Sequence, residues 1–268
     1  MLEIRGLTCG YEDGFTLKDV SVQVGRGKMV GVIGPNGSGK TTLLRAVTKV
    51  IAPMAGTVLV GGVDTARLRA RELARRLAVV SRPGEEDVRV TVEEYVLLGR
   101  IPYRKGLGLL EGKEDLRVAH RAMILTDVFD LKERYMNDLS SGERQLASIA
   151  RAIAQEPHLL LLDEPTSHLD IAHQIRVLDL IKRLNRETGL TVVIVLHDLN
   201  LAAQYCDRLL LFDSGFLRKE GTPEEVLTYQ TIESVYHTVV VVRKNPISSK
   251  PYVILISEDE RCGRPLPH

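Results

Sequence analysis

The residues Gly34-Pro35-Asn36-Gly37-Ser38-Gly39-Lys40-Thr41 decide how the rest of this sequence is read. They fit G-x-x-x-x-G-K-[ST], a pattern that carries meaning only between a strand and a helix. Both flanks comply: Met29–Ile33 is a short apolar run, and Lys40 to Val50 has helical periodicity. The glycines let the backbone wrap with its N–H groups pointing inward, and the following helix turns its positive end toward the loop. Such a loop holds phosphate. Lys40 would reach the β- and γ-phosphates of a nucleotide, and the Thr41 hydroxyl would ligate Mg²⁺.

Outward from this loop, the strand candidates Thr57 to Val60, Leu77 to Val80, Leu159 to Leu162 and Thr191 to Leu196 alternate with helical stretches. That alternation predicts an α/β domain on a largely parallel sheet. The last two runs are almost wholly apolar, as central strands covered on both faces should be. Between about Val88 and Ala154 the strand signal stops and amphipathic helices follow one another, so the core carries a helical insert. After Gly221 a helix starts at Thr222-Pro223-Glu224, an N-cap followed by proline. A second helix is expected over Thr231 to Tyr236, then β-rich residues Val239 to Ile256, with Arg261 to His268 a loose tail. Arg67, Arg69, Arg71, Arg75 and Arg76 read as a solvated helix face, because Glu72 sits among them and no aromatic interleaves.

Composition excludes several classes. The chain has 268 residues, with 36 Lys and Arg against 35 Asp and Glu, a net charge of +1. Its length suits one large or two small domains. Near-neutrality, 4% aromatics and no Trp argue against nucleic acid as a partner. Cys9, Cys206 and Cys262 match no zinc or redox spacing and read as free thiols. No apolar run approaches the ~20 residues of a membrane span, and Met1-Leu2-Glu3-Ile4-Arg5 does not open a secretory signal. The expectation is a cytoplasmic protein that meets a membrane only through a partner.

Leu159-Leu160-Leu161-Leu162-Asp163-Glu164 is the second chemical element. A buried strand delivers two carboxylates at its C-terminal end, where ligands bind in open α/β sheets. Asp163 is expected to hold Mg²⁺, and Glu164 to polarise the attacking water.

The third element is Leu139-Ser140-Ser141-Gly142-Glu143-Arg144-Gln145, similar to the L-S-G-G-Q signature of ABC ATPases. With the two motifs above, the chain resembles an ABC transporter ATP-binding subunit over most of its length, to about residue 238. The resemblance implies a P-loop NTPase (RecA-like) core of α/β class, with an antiparallel β subdomain and a helical insert at about 85–155. The cassette would span 2–238, and 239–268 would be a β-rich extension and tail. It further implies ATP contacts from Gly34 to Thr41 and from Thr42, with Tyr11 as the aromatic that stacks on adenine. Ser140, Ser141, Gly142 and Glu143 would complete the nucleotide pocket of the opposite subunit. Asp170, in Ser167-His168-Leu169-Asp170, matches the D-loop aspartate at the dimer seam, and His197 matches the switch histidine that positions the catalytic glutamate. Lys40, Glu164 and His197 are thus the expected catalytic set.

Three positions depart from the family pattern. Ser141 replaces a glycine but keeps a small side chain and its N–H, so phosphate contact is expected to survive. Glu143 replaces a glutamine. Arg82 stands where the family has a glutamine that touches Mg²⁺, and no glutamine occurs between Gly61 and Ser140. A guanidinium cannot ligate a cation and would pair with phosphate or with Glu85, Glu86 or Glu164, weakening metal coupling.

The family implies a head-to-tail homodimer around two ATP molecules, bound to separate transmembrane permease subunits at the cytoplasmic face of the membrane. A substrate-binding protein would be an indirect partner. Thr91 to Tyr103 is similar to a stretch in importers of iron-siderophore complexes, haem and cobalamin, whose common form has histidine where Tyr103 stands. Gly221 to Leu227 recurs there too. A metal chelate is therefore the expected cargo. The alternative is a soluble non-transport ABC ATPase of the iron–sulfur assembly type. A nucleic-acid-linked ABC protein is disfavoured by the single signature and the lack of sustained heptads.

Overall fold

The computed structural model describes residues 1–11, 14–81, 89–104, 112–257 and 259. Arg82, Glu85, Glu86, Cys262 and the expected loose tail lie outside the described residues. The strands are β1 (Leu2–Gly10), β2 (Thr16–Val24), β3 (Met29–Ile33), β4 (Ala55–Val60), β5 (Val63–Asp64) and β6 (Leu77–Val80). They continue with β7 (Leu159–Asp163), β8 (Thr191–Val195), β9 (Arg208–Asp213), β10 (Phe216–Gly221), β11 (Val240–Lys244) and β12 (Pro251–Leu255). The helices are α1 (Lys40–Val47), α2 (Ala70–Ala74), α3 (Val92–Leu97), α4 (Lys113–Leu125) and α5 (Ser141–Ala154). The rest are α6 (Ile171–Thr188), α7 (Leu199–Tyr205), α8 (Pro223–Val226) and α9 (Tyr229–Tyr236).

The main sheet has the order β10-β9-β3-β8-β7-β6. It is parallel from β9 to β6, and β10 closes one edge antiparallel. A second, antiparallel sheet has the order β2-β1-β4-β5. The run Thr57 to Val60 therefore joins this second sheet through β1, not the parallel one. Pattern alone could not decide between them, since a β-branched run suits either sheet.

Strands alternate their side chains between two faces, and both faces of the main sheet are covered. Met29, Ile33, Leu160, Leu162, Val192 and Ile194 enter one core, shared with α3 to α7. Val30, Val32, Leu159, Leu161, Val193 and Val195 enter the other, which α1 and the antiparallel sheet cover. Central strands sandwiched in this way have no solvated face, which explains their apolar runs.

The insert helices α3, α4 and α5 pack on one another and are pinned by a buried cation. Arg100, whose side chain is 5% exposed, pairs with Asp115 at 3.0 Å and Glu156 at 2.7 Å. It also donates to the Ala154 carbonyl. A buried guanidinium is tolerable only when paired this fully. The arginine-rich stretch departs from a purely solvated face: Arg71 and Arg75 both donate from Nε to the Pro102 carbonyl, at 2.7 and 2.8 Å. They tie α2 to the insert. The β11–β12 hairpin is antiparallel and packs on α7. Cys9 and Cys206 are buried free thiols, and burial pushes Cys206 up to about 12.

Candidate nucleotide site

Three neighbouring strands, β3, β8 and β7, end on one edge of the sheet and deliver the chemistry there. The loop after β3 is built around backbone that tolerates no side chain. Gly34 has φ +144, and a Cβ there would lie 2.1 Å from the Phe212 carbonyl oxygen. Gly39, at φ +107, would drive a Cβ to 2.5 Å from Leu17. Only glycine enters these positions without strain. Gly39 then caps α1, whose N-terminal N–H groups face the loop.

Lys40 is 5% exposed, and its ammonium donates to the carbonyls of Gly34 at 2.9 Å and Pro35 at 2.8 Å. Burial holds its pKa below the ordinary lysine value, with Asp163 pulling the other way. The buried Ser38 Oγ has no hydrogen-bond partner among the described residues. A desolvated cation and an orphaned hydroxyl in one glycine-rich loop fit an oxyanion that carries several acceptor oxygens.

Thr41 Oγ1 donates to Asp163 Oδ1 at 3.4 Å, so the second residue of α1 meets the end of β7. Hydroxyl and carboxylate are the hard oxygen donors that Mg²⁺ takes. The next residue, Glu164, has φ +53, a left-handed conformation uncommon for a residue with a side chain. The turn brings its Oε1 to 2.5 Å from His197 Nε2, the first residue past Leu196 and the β8 run. Glu164 Oε2 also accepts from Ser167 Oγ at 3.2 Å.

A cleft of about 300 Å³ lies over Lys40, lined by Tyr11, Phe15, Asn36, Gly37, Gly39, Lys40, Thr41, Thr42 and Glu164. A second cleft of about 360 Å³, with Arg26, Arg117 and His158 in its wall, sits at the opposite ends of the strands and contains none of these residues. Tyr11 lines the Lys40 cleft, and its phenol accepts from Arg45 Nη1 at 2.6 Å. Phe15 is a lining residue that the motifs do not announce. The only signal for it is an aromatic four residues beyond Tyr11 in the same β1–β2 connection. Tyr236, outside the lining of the cleft, also approaches the loop: its phenol is near the Gly34 N–H, and burial pushes it up to about 12.

Ser140, Ser141, Gly142 and Glu143 do not line the Lys40 cleft. They form the N-terminus of α5, closed by a capping box: Ser140 Oγ accepts from Glu143 N at 3.2 Å, and Glu143 Oε2 accepts from Ser140 N at 2.8 Å. Those bonds hold the Glu143 carboxyl below its ordinary range. Asp170 is likewise apart from the cleft and caps α6, accepting from His173 N at 2.8 Å. The monomer thus assembles Tyr11, the Gly34–Thr42 loop, Asp163, Glu164 and His197. It leaves the 140–143 segment and Asp170 elsewhere.

The chain has likenesses among known proteins. Residues 17–167, more than half of the chain, match the ABC transporter family. YvrA, an ABC transporter ATP-binding protein of Bacillus subtilis, is 39% identical over 98% of the chain, which spans 60% of that longer protein. The petrobactin import ATP-binding protein FpuC of Bacillus anthracis is 37% identical over 94% of the chain and 92% of its own length. Among solved structures, a metal-chelate type ABC transporter in an inward-facing conformation superposes with a TM-score of 0.85 at 27% identity, covering 96% of this chain and 98% of that one. A dimeric ATP-binding cassette holding ADP and Pi in a post-hydrolysis state gives 0.69 at 29% identity, covering 83% and 98%. Phosphate loop, carboxylate strand end and capped 140–143 segment stand in one chain with these likenesses, and the chain belongs to the ABC transporter family, among its ATP-binding proteins.

Proposed function

We propose that two copies of this chain clamp two ATP molecules head to tail and hydrolyse them to drive import of a metal chelate through a separate permease. One observation carries the dimer: the cleft over Lys40 is lined by the phosphate loop, Thr41 and Glu164, yet by nothing from the 140–143 segment. A reaction centre that lacks one wall is completed by a second copy. The metal-chelate cargo rests on the import function in the name of FpuC and on the transporter type of the superposed structure. The permease, an upstream substrate-binding protein and a place at the cytoplasmic face of the membrane follow from that reading. No helix among the described residues is long and apolar enough to cross a membrane.

Each side chain then has a task. Lys40 leaves two backbone carbonyls for phosphate oxygens, exchanging neutral acceptors for charged ones. Thr41 and Asp163 would hold Mg²⁺, which when bound neutralises charge on the β- and γ-phosphates. Glu164 orients the attacking water, with His197 fixing its carboxylate. From the partner, Ser140 and the α5 N-terminus face the γ-phosphate. Ser140 Oγ accepts the Glu143 N–H and so keeps its own hydrogen to donate. Glu143 turns its carboxylate back onto the Ser140 N–H and toward Arg134, 3.7 Å away, so its charge is directed off the phosphate. Closure expels water around preorganised donors, the main source of phosphoryl-transfer catalysis.

Glu164→Gln tests the reading. It should bind ATP, turn over far more slowly and accumulate as an ATP-bound dimer in light scattering. A variant that stays monomeric in saturating ATP would refute the clamp.

A further inference from the structure

His173, the third residue of α6, touches two segments at once. Its Nδ1 lies 2.9 Å from both carboxylate oxygens of Asp170, and its backbone N–H donates to the same carboxylate. The opposite edge of the ring is pressed against Gly142: a Cβ on that glycine would lie 2.2 Å from His173 Cδ2 and 2.9 Å from Nε2. Gly142 is buried, although Ser140 and Ser141 beside it are exposed. The close approach of an imidazole, and not backbone strain, excludes a side chain at this position, because Gly142 is not among the positive-φ glycines.

The two segments are the N-termini of α5 and α6, the parts of the chain that the clamp reading turns toward the partner. Resting on that reading, we propose that His173 is a positioning residue that locks the Gly142 segment to Asp170, so that both meet the partner's nucleotide as one rigid unit. The carboxylate fixes the ring on one side and the glycine surface stops it on the other. A side chain held by hydrogen bonds and packing together keeps a site within the few tenths of an ångström that catalysis needs. Rotation of the ring would free the α5 N-terminus from Asp170. Glycine at 142 thus serves the ring as well as any phosphate.

The test uses the full chain with Mg-ATP, measuring kcat, ATP affinity, thermal unfolding and dimerisation. His173 is 39% exposed, so His173→Ala should fold with a Tm near that of the wild type. Its kcat should fall on the order of 10- to 100-fold, the scale of a misplacement of about 1 Å, with ATP affinity of the Lys40 pocket unchanged. His173→Asn keeps a donor for Asp170 but has no ring edge for Gly142, and should remain as slow as His173→Ala. Gly142→Ala should be inactive, and adding His173→Ala should raise it to the His173→Ala rate, because the obstructing ring is gone. Wild-type kcat in His173→Ala, or a double variant no better than Gly142→Ala, would overturn the proposal. If Glu164→Gln dimerises with ATP while His173→Ala turns over normally, only the His173 assignment fails. If Glu164→Gln never dimerises, the clamp falls and the proposal with it.

Discussion

His197 Nε2 stands 2.5 Å from Glu164 Oε1, a contact that joins the ends of the adjacent parallel strands β8 and β7. The residue after β7 reaches it only through a left-handed backbone conformation. Conformations of this kind cost of order 1–3 kcal/mol and persist where the surroundings enforce them. Asp163, immediately before, points at Thr41 instead. One turn therefore sends two consecutive carboxylates to two tasks.

Removing the histidine should separate binding from chemistry. In His197→Ala the Glu164 carboxylate keeps Ser167 but loses the group that aims it. We expect kcat to fall by roughly 10²- to 10⁴-fold, the usual worth of a positioned general base. ATP affinity should change little, because Lys40 and the α1 N-terminus are untouched. Steady-state hydrolysis together with equilibrium nucleotide binding checks this.

Lys40 gives a pH prediction. Its ammonium is held below the ordinary 10.5, chiefly by burial. Between that depressed value and 10.5 the unfolded chain binds more protons at this site than the folded one, so the apo protein should gain stability as pH rises through the window. Lys40→Met should remove that increment. It should also remove most of the ATP-induced stabilisation, which for the wild type is about 2.7 kcal/mol at an ATP concentration of about 100 Kd. Thermal melts at several pH values, with and without ATP, report both effects.

What could be read in advance follows from the range over which each signal acts. The Gly34–Thr41 loop, the Leu159–Asp163 strand end and the Ser140 capping box are local, and spacing along the chain exposes them. The sheet that claims β4 is decided by pairing with β1 some fifty residues away, which a local pattern does not encode. Tyr236 beside Gly34, and the His173 ring against Gly142, are products of tertiary packing between distant segments. Phe15 fell between these cases, near a recognisable aromatic but outside any fixed spacing.

Glu143→Gln restores the residue that the family carries and should show why glutamate is tolerated. Glutamine can still close the capping box, so α5 should persist. Although tied back to the Ser140 N–H, the carboxylate keeps its negative charge in the first turn of the helix that the clamp reading turns toward phosphate, and glutamine removes that charge. Half-maximal ATP should therefore drop roughly 2- to 5-fold, matching the 0.3–1 kcal/mol of one charge at a helix N-terminus. The carboxyl is held below 4.5 by the Ser140 bonds, so its contribution to stability is present above that pH and is lost as pH falls through the lowered value. The variant should lack that acid limb in a pH series of denaturant melts.

Asn200 gives the last prediction. It lies in the first turn of α7, the helix that follows His197, and its side-chain amide pairs with one residue of the hairpin in both directions. Nδ2 donates to the Val253 carbonyl at 3.1 Å, and Oδ1 accepts the Val253 N–H at 2.7 Å. Val253 is buried, so removing the partner strands two backbone groups where water reaches poorly. An unsatisfied group of this type costs about 1–3 kcal/mol. Asn200→Ala should therefore destabilise the chain by an amount in that range and raise hydrogen exchange at Val253 and its β11 neighbours. Asn200→Asp should be as damaging, because a carboxylate oxygen would face the Val253 carbonyl in place of the donor. Protection at Val253 equal to the wild type in both variants would show that the β12 contacts with α7 hold the hairpin without this amide.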